Sequence, residues 1–331
     1  MSLHLNKSYL LLLSTCVAAI AVFLNYPPPP LSDTLKKWKQ SGKMFNFQNN
    51  NIFYHDYGNE NNEDVLVCIH GFPTSSFDFI KILPDLQNIF GRVIVADMLG
   101  FGFSDKPKVH NYTVFEQADI ITYLLKSLSI NKVNILAHDL GDTIAQEILA
   151  RFEDGEKDRI LLQSVTLLNG GILPETNFPK IIQKLLLNKY LSPVLMRLTN
   201  YVIFKQSFSD VFGENTKPSE EELADFWSAN IWNDGYLVTA DLLQYINQRH
   251  ANRDRWVHVL QNTTVPLHLI YGPSDPINGP ETFLKRFRKL VPNCSVDVLN
   301  TSISHYPHWE DPKNVSKHFK NFIKPILLSN K

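Results

Sequence analysis

The chain has 331 residues, 44% of them hydrophobic and 20% charged, with a formal net charge of −1. Such a chain can bury one large core, alone or with a subdomain, and its charge balance excludes the basic field that nucleic-acid binding needs. Cys16 lies in an apolar N-terminal run, Cys68 in a predicted strand and Cys294 near a strand start; their number and spacing suggest no disulfide framework and no metal site, and no cofactor is expected.

Residues 9–26, YLLLLSTCVAAIAVFLNY, carry no charge and run into prolines 27–30. Eighteen residues at a 1.5 Å rise make about 27 Å, close to the roughly 30 Å hydrocarbon core of a bilayer. A run that is apolar on every side and cut off by prolines is not a globular core helix. Ala19-Ile20-Ala21 resembles a small-x-small cleavage site, which gives a signal-peptide reading. The run continues past that site, so a retained membrane anchor over 9–26 is the expectation, with residues 1–42 as anchor and linker. Lys36, Lys37, Lys39 and Lys43 follow it against Lys7 and the free amine before it, which weakly favours a cytosolic catalytic domain. Sequons at Asn111 and Asn262 point the other way, and the topology stays open.

From residue 43 the pattern alternates. Residues 43–57 read as an antiparallel hairpin. Apolar, β-branched runs follow at 65–69, 92–97, 132–137, 163–168, 265–271 and 295–299. Most are near-continuous, as in strands buried on both faces. Helical spacing fills 114–128, 142–153, 281–290 and 314–328. Strand–helix alternation predicts a mainly parallel sheet with helices on both faces. From about 173 to 256 there is no strand pattern, only helical segments rich in Leu, Tyr, Phe and Trp. This reads as a helical cap inserted over the carboxyl edge of the sheet, where ligands bind in open α/β folds. The division is 43–172 for the first part of a core, 173–256 for the cap and 257–331 for the second part.

Chemistry-bearing residues recur at strand ends. His70-Gly71-Phe72-Pro73 follows the run 65–69, and its glycine lets the loop turn so that the Phe72 N–H faces a site. Asp97–Pro107, DMLGFGFSDKP, has two glycines suited to a tight loop and marks the fold more than it carries chemistry. ILAHDLGDTIAQE, residues 135–147, places Asp139 between a strand and a helix, with small Ala137 two before it and Gly141 two after. That is the pattern of a nucleophile elbow with a carboxylate where serine usually stands. A helix-capping Asp is the structural alternative. Asp275 ends the late strand in YGPSDP, and SHYPHWEDP, residues 304–312, offers His305 as base, ahead of His308. Asp139, Asp275, His305 is nucleophile, acid, base in chain order. The N–H groups of Phe72 and Leu140 would form the oxyanion hole.

Together HGFP, the Asp97–Pro107 stretch, HDLG, GPSDP and HYPHWEDP resemble the α/β-hydrolase fold, and within it the epoxide hydrolase and haloalkane dehalogenase branch with an Asp nucleophile. The resemblance covers about residues 43–328. HGFPTSS, LGFGFSDKP, AHDLGD, LLQYINQR and ISHYP further resemble a membrane-associated vertebrate member of that branch assigned to the endoplasmic reticulum. The resemblance implies a hydrolase acting through an ester on Asp139, formed by attack on saturated carbon. Water activated by His305 would then hydrolyse it. Epoxide hydrolases also use two cap tyrosines as acids. Tyr245 is the candidate for one, and Tyr190 or Tyr201 for the other. Dehalogenases hold halide with a Trp after the nucleophile, but here Leu140 occupies that place and Phe72 stands in the other halide slot, so dehalogenation is disfavoured.

Ala137 replaces a usual glycine, and Asp142 adds a second carboxylate three residues from Asp139, where like charges repel. The expected protein is a membrane-anchored hydrolase of a hydrophobic small molecule or lipid. The alternatives are a lipid esterase or acyl hydrolase, for which no elbow serine exists, and a catalytically silent membrane-tethered binding protein. The sequence leaves the oligomeric state open.

Overall fold

The near-continuous apolar runs become the strands of one sheet. The computed structural model describes residues 7–27, 29–157 and 159–329. Among these, eight strands form: β1 Lys43–Phe47, β2 Asn50–Gly58, β3 Val65–Ile69, β4 Arg92–Ala96, β5 Lys132–Ala137, β6 Leu161–Leu167, β7 Leu267–Tyr271 and β8 Ser295–Val298. Their order is β1-β2-β4-β3-β5-β6-β7-β8. β1 and β2 form the expected antiparallel hairpin, β2 is also antiparallel to β4, and the remaining pairs are parallel.

Every residue of β3, β4 and β7 is buried. The reason is visible in β3, where Val65, Val67 and Ile69 join one apolar layer and Leu66 and Cys68 the layer on the other face. Alternate side chains point to opposite faces, so a strand covered on both sides must be apolar throughout.

The helices are α1 Lys7–Leu24, α2 Asp33–Ser41, α3 Leu83–Ile89, α4 Val114–Ser127 and α5 Leu140–Glu153, then α6 Ile181–Leu186, α7 Ser192–Leu198, α8 Tyr201–Ser209, α9 Glu220–Ile231, α10 Thr239–Leu242, α11 Tyr245–Ala251 and α12 Arg253–Asn262. α13 Phe283–Leu290, α14 Pro307–Glu310 and α15 Pro312–Ser329 complete the chain. Thr113 caps α4 by accepting the Glu116 N–H at 3.0 Å. α5 is buried from Leu140 to Ala150, packed between the sheet and α4 and α12. The stretch between β6 and β7 holds α6–α12 and no strand. The result is the α/β-hydrolase architecture that the resemblance implied.

The N-terminus departs from expectation. α1 starts at Lys7, and its side chains described are exposed. Among the described residues no helix is long and apolar enough to cross a membrane. The structure thus gives an exposed apolar helix, Lys7–Leu24, and does not show the spanning helix expected over 9–26. After it, Ser32 donates its backbone N–H to Asp225 Oδ1 at 3.1 Å, and Ser228 Oγ donates to the Pro29 carbonyl at 3.2 Å. The linker is thus tied to α9.

Candidate active site

The elbow forms where β5 gives way to α5. His138 N–H still pairs with the Ile69 carbonyl at 3.0 Å, and Asp139 N–H with the Asn169 carbonyl at 3.1 Å. Asp139 then takes φ 49° and ψ −105°, a conformation non-glycine residues adopt at a cost. The turn is tight enough to need Gly141: a Cβ there would lie 2.2 Å from the Ile69 carbonyl oxygen. Asp139 is 4% exposed and its side chain reaches a cavity. It makes no capping hydrogen bond to α5, so the helix-capping alternative fails.

The Phe72 N–H donates to Asp139 Oδ2 at 3.1 Å. Leu140 is the first residue of α5, a position whose N–H has no carbonyl partner within the helix. His70, just before the loop, is buried with Nε2 accepting the Met98 N–H at 3.0 Å, which fixes the loop's base. The Asp97–Pro107 loop is structural, as read: Asp97 accepts the Ser76 N–H at 2.8 Å and the Phe103 N–H at 2.6 Å.

Asp275 and His305 meet at the far side. His305 Nδ1 and Asp275 Oδ2 are 2.9 Å apart. Asp275 also accepts the Ile277 N–H at 2.7 Å and the Asn169 side-chain amide at 3.0 Å. Burial alone would raise its pKa, but the His305 charge and these hydrogen bonds bring it down to about 2. His305 is shifted up. Burial opposes its charge, but Asp275, by charge and hydrogen bond, and then Asp139 outweigh that. Asn169, at the end of β6, was not singled out in the sequence; one buried amide in a loop gives no pattern to find.

Arg249 is the larger surprise. It is buried, on α11. Its Nη2 donates to the Asp139 carbonyl at 2.8 Å and to Asp139 Oδ1 at 3.3 Å, and its Nε to Thr143 Oγ1 at 2.7 Å. It stands four residues after Tyr245, on the same helical face, and lies 4.4 Å over that ring. The i, i+4 spacing in YINQR was the only signal for it.

Asp142 is fully buried, and neither carboxylate oxygen reaches a hydrogen-bond partner at bonding geometry among the described residues. It packs beneath the elbow against Gly170. Burial first, then the Asp139 charge, hold its carboxyl well above the ordinary range, with Arg249 opposing. Asp142 does not line the cavity.

Of the tyrosines, Tyr245 is buried and lines the cavity, and burial shifts its phenol up. Tyr190 and Tyr201 are not brought there. Tyr190 is 79% exposed between α6 and α7, and Tyr201, half-buried, donates to the Glu220 carbonyl at 3.2 Å. Tyr306 lines the cavity instead and donates to the Phe72 carbonyl at 3.3 Å.

His308 lies in the core, stacked 5.0 Å from Phe79, with both ring nitrogens unpartnered among the described residues. Burial, then the neighbouring His138 and His305, push its pKa well down. With Asp78 and His138 it forms a buried polar group whose ligand atoms lie within 4.8 Å of one another.

The cavity, about 670 Å³ with its mouth, is lined by Phe72, Asp139, Tyr245 and His305 and walled by apolar side chains such as Phe204 and Phe208. Leu140, Asp275 and Arg249 stand behind it. A carboxylate, two backbone donor positions, an imidazole on its own carboxylate and a phenol therefore converge on one apolar space. That set can form and hydrolyse an ester.

Residues 64–312 match the family model described as alpha/beta hydrolase fold. The mesoderm-specific transcript homolog protein of Bos taurus is 47% identical over 311 residues, which cover 93% of each chain. A loop variant of the haloalkane dehalogenase of Bradyrhizobium elkanii is similar at TM-score 0.73 and 19% identity, over 88% of this chain and 98% of that one. The epoxide hydrolase CorEH is similar at TM-score 0.67 and 18% identity, over 86% and 99%.

Proposed function

Because the chain belongs to the α/β-hydrolase family and is an α/β-fold hydrolase, we propose that Asp139 is its nucleophile and that it opens an epoxide-like electrophile on a hydrophobic molecule. One observation carries this reading. The carboxylate at the elbow has the Phe72 N–H on Oδ2 at 3.1 Å, leaves Oδ1 with only the longer 3.3 Å contact from Arg249, and shares its cavity with His305 and Tyr245.

In the first step Asp139 Oδ1 attacks a ring carbon. The carbon–oxygen bond breaks, and the departing alkoxide takes the Tyr245 proton. In the second step His305 removes a proton from water, whose oxygen adds to the Asp139 ester carbon. The oxyanion develops on Oδ2, against the Phe72 and Leu140 N–H groups, each worth about 3–4 kcal/mol in such a hole. Collapse expels the alcohol, protonated by His305. The proton left on the Asp139 carboxyl returns to the Tyr245 phenolate. Asp275 holds the imidazole in the right tautomer throughout.

Incubation of the His305→Gln protein with a panel of lipophilic epoxides tests the reading. An ester should accumulate on the peptide carrying Asp139, while Asp139→Asn forms none and His308→Gln turns over almost as the native protein does. Ester turnover with no covalent adduct on Asp139 would favour an acyl hydrolase, and ligand binding with no turnover a silent binding protein.

We further propose that α1 holds the enzyme on the endoplasmic reticulum membrane. Its exposed apolar side chains support this, because such a surface is costly in water. The substrate would then be a hydrophobic small molecule or lipid.

A further inference from the structure

Among the described residues beyond 26, nine of the fifteen exposed large apolar side chains fall between residues 178 and 203. They include Ile181 and Leu185 on α6, Val194 and Leu198 on α7, and Val202 on α8. A monomer rarely leaves so much apolar surface in one place without a partner. The same stretch carries Lys180, Lys184, Lys189 and Arg197, and no acidic residue stands between Glu175 and Asp210; of these only Lys180 is paired among the described residues, with Asp210 at 3.7 Å. In a chain of net charge −1 this is a local positive field. Lys184 and Lys189 are exposed and make no ion pair among the described residues.

The place of this surface is informative. α6 supplies Ile182 and Gln183 to the cavity wall, and α8 supplies Phe204 and Ser207. Lys180 Nζ donates to the Ser207 carbonyl at 3.2 Å, so the two helices meet across the mouth. The outward faces of α6 and α8 are therefore its rim. α8 packs on α9, with Phe208 and Phe226 ring centroids 5.1 Å apart. α9 in turn receives the linker at Pro29 and Ser32, so the exposed helix α1 leaves the body beside the same part of the fold.

We propose that the outer face of α6–α8 docks onto a bilayer containing anionic phospholipid, so that the cavity mouth opens against the lipid. The apolar side chains enter the interface. Lys184 and Lys189 meet headgroup phosphate and carboxylate. Tyr190, with Lys189 5.1 Å over its ring, sits at the depth that suits an aromatic side chain. The inference rests on this surface and needs no catalytic role for Asp139. A hydrophobic substrate could then pass from lipid to active site without crossing water.

The test uses the full chain with Cys16→Ser and Cys294→Ser and an environment-sensitive fluorophore on Tyr190→Cys. The control carries the label on Val109→Cys, a site 99% exposed. Vesicles contain phosphatidylcholine with or without phosphatidylserine. The label at 190 should shift to the blue and be quenched by lipid-borne nitroxides on phosphatidylserine vesicles, while the label at 109 stays water-like. K184E/K189E should abolish both signals although the chain still floats with the vesicles through α1, since each lost positive charge weakens the contact about fivefold. A label at 190 that stays water-like on floating vesicles would overturn the proposal. So would an unchanged shift in K184E/K189E, or a shift that needs protein concentration and no lipid, which would assign the face to a second copy of the chain. The same measurements on Asp139→Asn should be unaltered, so a failure here is separable from a failure of the catalytic reading.

Discussion

Arg249 Nη2 lies 2.8 Å from the carbonyl oxygen of Asp139 and 3.3 Å from its Oδ1. A residue from the inserted helices thus clamps the strained turn of the core at its backbone and its side chain together. The clamp also sets a positive charge beside the buried Asp139 carboxylate. A single buried charge of this kind would be expensive; paired, it is tolerated.

Arg249→Met removes the clamp. Ester formation should slow about a hundredfold, because a displacement of the nucleophile by about 1 Å costs that much. KM should hold, since Arg249 does not line the cavity. Arg249→Lys should recover part of the rate by keeping the charge while losing the fork to Thr143. Single-turnover kinetics separate these outcomes, and a fall in KM-dependent binding alone would contradict a positioning role. Thermal unfolding of Arg249→Met should show a loss of about 3 kcal/mol, as for other broken buried pairs.

Asp142→Asn should stabilise the protein near neutral pH. In the fold the Asp142 carboxyl titrates well above its ordinary 3.8, whereas in the unfolded chain it ionises near that value. Above pH 3.8 folding therefore has to hold a proton that the unfolded chain gives up, and stability falls as pH rises. An amide of the same shape removes that cost. The gain should be about 1–3 kcal/mol near neutrality and vanish below about pH 3.8. Denaturant titrations at several pH values measure it; a gain that is constant with pH would mean that Asp142 is ionised in the fold.

What the sequence made legible follows from where the information sits. The strands could be read because burial on both faces forces apolar runs, as in β3 and β7. Asp139 could be read because a strand, a glycine and a helix constrain one turn locally. The inserted helices were opaque in detail, since helical spacing does not say which face meets the core 100 residues away. Tyr190 and Tyr201 therefore looked equivalent to each other as the second cap acid beside Tyr245, and neither lines the cavity, while Tyr306, next to His305, was passed over. Arg249 escaped for the same reason: its partner, Asp139, is 110 residues distant.

Tyr245→Phe should suppress epoxide opening by about 10²–10⁴-fold, the usual worth of a positioned acid. It should spare hydrolysis of an ester already formed on Asp139, which relies on His305. Tyr306→Phe keeps the ring and loses only the bond to the Phe72 carbonyl, so it should cost about tenfold or less. Rapid-quench measurement of ester formation and decay distinguishes the two steps. Equal suppression of both steps by Tyr245→Phe would show a packing defect rather than a lost acid.

The N-terminal helix should be retained. Amino-terminal sequencing of the mature protein from cells should not begin near Val22, and alkaline carbonate should fail to extract the protein from microsomes. A chain starting near Val22 would instead indicate a cleaved leader, and α1 would have no part in the mature enzyme.

The carboxylate route has an isotopic consequence that no general-base route shares. If Asp139 attacks, the oxygen delivered to the product in the first turnover comes from Asp139 itself, because the ester is cleaved at the acyl carbon. The water activated by His305 supplies the oxygen that replaces it. In a single turnover with enzyme in excess in heavy-oxygen water, the product should therefore stay light and one label should enter the peptide holding Asp139. Over repeated turnovers the product should become heavy as labelled carboxylate oxygens are used. The position of the Phe72 N–H on Oδ2 at 3.1 Å fits this order, because that donor already stands where the ester carbonyl oxygen will carry charge. Mass spectrometry of product and peptide reads both fates. A heavy first-turnover product beside an unlabelled Asp139 would mean that water attacks the substrate directly, with Asp139 acting as a base or not at all.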